Sequence, residues 1–312
     1  MKLRIAAVLL ALAFSAASVA PVAAQTQPDG THEATRPANS GRAGRDRDRS
    51  RAPQMTPEQI QAAAQEQATL ANTGCQVTEA KLLGTTAERT SVYEMACAAG
   101  PGYIIETKTP PNVTDCVVLA HSAATMRASN PTADVGPQCT IAANLDTQRF
   151  LREYAQQAAV PCTVDDATVI GKSNEGAIVY EIGCAGEQGY WIKKIDNAWQ
   201  KTECIQVLAE RGTCRLTTAG EIAASVKKWL AGSDAAACDV TEARLMGQNA
   251  NGMFYEAKCA AGDGFIARTN AEHAVQQVYP CATAQQIGGG CSGRRPSVRT
   301  SCAKSLHERP SE

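Results

Sequence analysis

Apolar residues recur at helical spacing in three places along this chain. Ile60, Ala63, Ala64 and Leu70 form one stripe, Phe150, Leu151, Tyr154 and Ala158 a second, and Ile222, Val226, Trp229 and Leu230 a third. Steps of three and four positions put each set on one face of a helix, and such faces belong to cores. Each stripe also carries a start signal. Thr56 is followed by Pro57 and Gln59, Asp146 opens the second stripe, and Thr218 has Glu221 three positions on. The hydroxyl or carboxylate caps the first free amides, Gln59 or Glu221 reciprocates, and Pro57 suits the first helical position.

Behind each stripe the period changes to two. In the first copy residues 75–83 approach a strand, residues 84–89 supply a turn, residues 91–98 form the next strand, and Gly100-Pro101-Gly102 turns into Tyr103-Ile104-Ile105. The third copy has Gly262-Asp263-Gly264 before Phe265-Ile266, and the second keeps Gly189-Tyr190 before Trp191-Ile192. The pattern predicts an α+β protein of three tandem disulfide-stapled modules, each a helix followed by a three-stranded antiparallel sheet packed against it. Their bounds are residues 55–139, 140–214 and 215–291.

Short signatures tie the copies together. Cys75-Gln-Val-Thr-Glu-Ala, Cys162-Thr-Val-Asp-Asp-Ala and Cys238-Asp-Val-Thr-Glu-Ala each lead to Tyr-Glu-x-x-Cys, ending at Cys97, Cys184 and Cys259. Recurrence at this spacing is the mark of tandem structural units. Strand alternation puts Tyr93, Met95 and Cys97 on one side, as it does Tyr180, Ile182 and Cys184, and Tyr255, Ala257 and Cys259. Glu94, Glu181 and Glu256 point the other way. That predicts a buried Tyr/Cys face and three wetted carboxylates, or, in a functional reading, one repeated binding contact per module.

Folding back the first two strands brings Cys75 near Cys97, Cys162 near Cys184 and Cys238 near Cys259, at cross-strand distances a disulfide can span. The remaining repeated cysteines give Cys116–Cys139, Cys204–Cys214 and Cys281–Cys291, the first enclosing a longer insertion than the others. Any four cysteines allow three pairings, so this connectivity is a hypothesis. Cys302 is left over, as a free thiol, an unusual intramolecular partner, or the link of a disulfide-bonded dimer.

A helix on a three-stranded sheet, with Tyr-Glu in the second strand and a Gly-aromatic turn into the third, resembles PepSY modules over residues 56–109, 146–196 and 218–270. Such modules occur in exported proteins and are associated with inhibition or control of peptidases. The resemblance therefore implies a binding or inhibitory role. The dense cysteines depart from that pattern.

Export is written at the start of the chain. Lys2 and Arg4 precede the apolar run 5–14, and Val22-Ala23-Ala24 offers a cleavage site before Gln25. An uncleaved anchor is the alternative, but an apolar core of about ten residues is short for a bilayer. Residues 1–24 are thus expected to be a signal peptide, residues 25–54 a disordered linker and residues 292–312 a flexible tail. Loss of Lys2 and Arg4 leaves 28 basic residues (30 less 2) against 31 acidic ones, with no membrane span and no bias toward nucleic acid. The linker run 41–51 holds five arginines and no apolar face, so it cannot recover its ordering entropy. Those arginines either touch anionic envelope polymer or lipid or simply solvate a spacer. Aromatics make up only 4% of the chain while cysteines number 13. Disulfides formed in a periplasmic or extracellular setting would supply what small cores lack.

Sequence motifs for chemistry are sparse. No CxxC occurs, and His32, His121, His273 and His307 have no ligand spacing, so neither a zinc site nor a thiol-disulfide oxidoreductase is expected. His121 precedes Ser122, and Asp165 adjoins Asp166, but neither pair makes a catalytic arrangement by adjacency. No nucleophile elbow, phosphate loop or calcium loop appears. The expectation is no catalytic, cofactor or metal residues, and a noncatalytic protein that recognises an envelope protein or polymer. Inhibition of an exported hydrolase is its narrower form. An envelope structural role and a hydrolase with an unrecognised site are the alternatives.

Overall fold

The structure, a computed structural model, describes residues 55–292. The expected leader, the arginine-bearing linker, His32, His307 and Cys302 with the tail lie outside the described residues. Those residues form three four-stranded antiparallel sheets with accompanying helices, an α+β arrangement. The first sheet is β1 (Val77–Thr85), β2 (Ser91–Cys97), β3 (Tyr103–Glu106) and β4 (Asn112–Asp115), in that spatial order, preceded by α1 (Pro57–Leu70) and followed by α2 (Cys116–Ser129). The second is β5 (Val164–Lys172), β6 (Ile178–Cys184), β7 (Glu187–Ile195) and β8 (Ala198–Glu203), between α3 (Thr147–Gln157) and α4 (Cys204–Ala209). The third is β9 (Val240–Asn249), β10 (Gly252–Cys259), β11 (Phe265–Thr269) and β12 (Val275–Pro280), preceded by α5 (Ala219–Leu230).

The fourth strand corrects the expected three-stranded sheet. Asn112–Asp115, Ala198–Glu203 and Val275–Pro280 are short and mostly polar or half-exposed. An edge strand is stabilised by pairing with its neighbour more than by burying side chains, so it leaves a weak hydrophobic trace. Helix starts follow local chemistry instead. Thr56 accepts from the Gln59 amide while the Gln59 side chain accepts from the Thr56 amide, and Thr218 and Glu221 form the same reciprocal pair. Asp146 caps α3 through the Arg149 amide.

Each sheet packs one face on the helix before it. Ala64 and Ala68 of α1 meet Tyr93, Met95 and Ile105; Phe150 and Leu151 of α3 meet Tyr180, Ile182 and Ile192; Ile222 and Val226 of α5 meet Tyr255 and Ala257. Six disulfides reinforce these cores: Cys75–Cys97, Cys116–Cys139, Cys162–Cys184, Cys204–Cys214, Cys238–Cys259 and Cys281–Cys291, with Cα separations of 5.2 to 5.9 Å. Three of them cross the first hairpin of a sheet, where Val77 pairs with Cys97, Val164 with Cys184 and Val240 with Cys259. No helix among the described residues is long and apolar enough to cross a membrane.

The sheets are not helix-covered on one face and wet on the other. The central strands β2, β6 and β10 are buried on both sides. After each sheet the chain folds back over the second face. Helix α5 also reaches β7, where the Ser225 hydroxyl accepts from the Gln188 amide, and the Gln188 side chain accepts from the Ile205 amide of α4.

Candidate functional site

The three repeated glutamates end up inside the protein, which corrects their expected exposure. Glu94 and Glu181 are fully buried and Glu256 is 6% exposed. Each holds the segment just beyond a disulfide. Glu94 accepts from the Thr140 and Ile141 amides at 2.7 Å, the Thr140 hydroxyl at 2.8 Å and the Asn144 carboxamide at 3.0 Å. Glu181 accepts from the Leu216 amide at 2.7 Å, and its second oxygen is buried without a partner among the described residues. Glu256 accepts from Ser292 and from Arg244, whose Nε lies 2.6 Å away. Alternation shows which face a residue takes, but not whether later chain covers that face. Their hydrogen bonds are to their own chain, and full burial leaves Glu94 and Glu181 no surface for an external contact.

Carboxylate oxygen and cysteine sulfurs come within 4.8 Å of one another at Glu94/Cys116/Cys139 and at Glu181/Cys204/Cys214. In both groups the two sulfurs are bonded to each other. The sulfur donors are therefore those of a disulfide, rather than the thiolates a soft metal ion requires. Asp165 and Asp166 lie at a bulge between Val164 and Ala167 on β5, both exposed, with Asp166 accepting from the Ala167 amide. His121 and Ser122 are consecutive on α2. Ser122 is exposed, while the two His121 nitrogens lie near the hydroxyls of Thr125 and Thr168. Burial, then the nearby Arg215 charge, lowers the His121 pKa from its usual range and favours the neutral ring.

Two clusters at the junctions between consecutive sheets were not legible as sites beforehand. At the second junction, Glu203 closes β8 and faces the third sheet. Its carboxylate meets His273 Nε2 at 2.6 Å. The imidazole is stacked on Trp229 at 3.8 Å between centroids and 8° between planes, with Tyr255 at its edge. His273 has φ 62°, a left-handed conformation at the tip of the β11–β12 turn. Its Nδ1 and the second Glu203 oxygen are buried without partners among the described residues. The Glu203 charge also helps raise the pKa of Tyr190 to about 12, after burial as the larger cause. His273→Ala leaves the Glu203 carboxylate enclosed and unpaired, and should cost about 2–3 kcal/mol. Adding Glu203→Gln should recover at least ~1 kcal/mol of that loss in urea unfolding.

At the first junction the same plan is open. Asp115 closes β4 as Glu203 closes β8, each directly before a cysteine. Tyr154 of α3, Tyr180 of β6 and Trp199 of β8 form a ring triad with centroids 5.1 to 6.3 Å apart, in the manner of Trp229, Tyr255 and His273. Trp199 donates to the Gln157 side chain, however, and not to the acid. Together with Tyr103, Asp115 and Lys194 these rings line a cavity of about 420 Å³. One Asp115 oxygen caps α2 through the Val117 and Val118 amides at 2.6 and 3.2 Å. No donor to its other oxygen is found among the described residues. Burial raises the Asp115 pKa above its ordinary 3.8, against the lowering effect of the two amides. The carboxylate charge in turn adds to burial in raising the pKa of Tyr103, Tyr154 and Tyr180.

The sign of the Asp115 effect is testable. A raised folded-state pKa means the folded protein holds that proton more tightly than the unfolded chain. The corresponding stability is fully present below 3.8 and is lost as pH rises through the folded value. Asp115→Asn keeps a capping oxygen and removes the charge. It should raise the melting midpoint by about 1–3 °C at pH 7, with the gain over the native chain vanishing as pH falls below about 4.

No family model matches this chain, and no curated protein or solved structure matches it either. The resemblance to PepSY modules thus gains no support from these comparisons, and the fourth strand departs from the helix-plus-three-strand pattern behind it.

Proposed function

We propose that this is a noncatalytic recognition protein of an oxidising, exported compartment, built from three diverged copies of one helix-and-sheet unit. The single observation that carries this reading is the open junction between the first and second sheets. An aromatic-lined cavity with one under-used carboxylate is the form in which proteins commonly hold a ligand. Its counterpart at the second junction is filled by the chain's own His273. Six disulfides support a periplasmic or extracellular location.

Against catalysis stands the state of the one histidine–carboxylate pair among the described residues. His273 Nδ1 is sealed, and Nε2 is committed to Glu203, so no nitrogen is presented to a nucleophile or substrate. Inhibition of an exported hydrolase remains the narrower form of the proposal. The test is crosslinked capture from the native envelope with the mature, oxidised protein, comparing the native chain with Trp199→Ala. A reproducible partner lost on substitution supports recognition through the first junction. Failure to capture any partner counts against recognition, and turnover of an envelope substrate by the purified protein would overturn the noncatalytic reading.

A further inference from the structure

We propose that the cavity at the first junction binds a small organic cation, its N–H donors on the free oxygen of Asp115 and its apolar body against Tyr103, Tyr154, Tyr180 and Trp199. This rests on the recognition reading and names the ligand chemistry. The protein supplies the comparison itself. At two comparable joints an acid closes the last strand of a sheet beside a ring cluster from the following helix and sheet. In one, a nitrogen heterocycle lies flat on an indole and gives a ring nitrogen to the acid at 2.6 Å. In the other the third ring is Trp199, whose N–H goes to Gln157, and one oxygen of the acid has no donor among the described residues beside a cavity of about 420 Å³. A ligand supplying that donor would complete at Asp115 what His273 completes at Glu203.

The electrostatics agree. Three tyrosines and a tryptophan line the cavity, and the faces of such rings attract ammonium and imidazolium groups. Asp115 adds a formal negative charge in a partly desolvated setting, where a charge-assisted hydrogen bond is stronger than in water. Burial there disfavours the charged form of the Asp115 carboxylate and raises its pKa. Groups kept at such a disadvantage in a cleft are candidates for binding. The protein's own cation marks the mouth of the site. The exposed Lys194 ammonium lies 5.8 Å from the Trp199 centroid and forms no ion pair among the described residues. Lys194 lines the same cavity, so an entering cation competes with it for the Trp199 ring.

The experiment is calorimetric titration of the oxidised chain with benzylammonium, its neutral isostere benzyl alcohol, and the anion benzoate. Benzylammonium should bind at least ten-fold more tightly than benzyl alcohol, and benzoate should give no heat. Asp115→Asn, which retains the helix cap, should weaken benzylammonium at least ten-fold. Lys194→Gln should strengthen it several-fold. The cation assignment is overturned if benzylammonium and benzyl alcohol bind equally, if Asp115→Asn retains full affinity, if Lys194→Gln weakens binding, or if no probe binds the Lys194→Gln variant. Envelope capture separates the two levels. A partner lost on Trp199→Ala together with silence toward cations leaves recognition standing and removes this ligand class, whereas loss of both removes both.

Discussion

Complete reduction of the six disulfides unfolds the described body at room temperature. Each bridge closes a loop of 10 to 23 positions, and closing a loop of that size removes about 3 kcal/mol of unfolded-state freedom. The loops do not overlap along the chain, so their effects combine to a first approximation. Six such contributions exceed the 5–15 kcal/mol by which a folded domain usually survives. Large side chains are too few to compensate, since aromatics are 4% of the sequence. The cores combine a few large side chains, such as Tyr93, Phe150 and Tyr255, with small ones such as Ala64, Ala68 and Ala257. Circular dichroism before and after reduction with thiol capping measures the effect. Retention of a cooperative melt by the fully capped chain would show that packing alone suffices.

Glu94→Ala should be the most damaging single substitution in the first unit, at about 3–5 kcal/mol. The change strips three donors of their acceptor, the amides of Thr140 and Ile141 and the Thr140 hydroxyl, and leaves the Asn144 carboxamide only the Met95 carbonyl. Ile141 and Asn144 are buried, so water cannot freely replace the lost carboxylate. Glu94→Gln keeps one acceptor oxygen for the two amides and should cost about 1–2 kcal/mol. Urea unfolding of both variants sets the scale. A Glu94→Ala loss below about 1 kcal/mol would show that residues 140–144 are held by other contacts.

The parts of the fold readable in sequence were those fixed by neighbours along the chain. Thr56 with Gln59, Asp146, and Thr218 with Glu221 announce their helices because a cap is satisfied within three positions. The hairpin cysteines signal their pairing because each pair flanks a single hairpin, even though bulges interrupt the register of all three. What escaped depends on distant partners. β4, β8 and β12 are defined by pairing rather than by apolar content. The burial of Glu94 is decided by residues 46 to 50 positions later. A usable signal was still there, since an acid recurred three times between strongly apolar neighbours of a central strand. The junction cavity left a fainter one. Asp115 and Glu203 each stand immediately before a repeated cysteine, whereas Pro280 fills that place in the third unit.

The covalent loops have a mechanical corollary. Their spans of 22, 23, 22, 10, 21 and 10 positions take up about half of the contour between Cys75 and Cys291. A chain pulled from both sides of that stretch can pay out only the residues between loops, at roughly 3.5 Å each. Between Cys75 and Cys291 the oxidised chain thus has a shortened maximum reach, and reductant would about double the distance that stretch can be drawn.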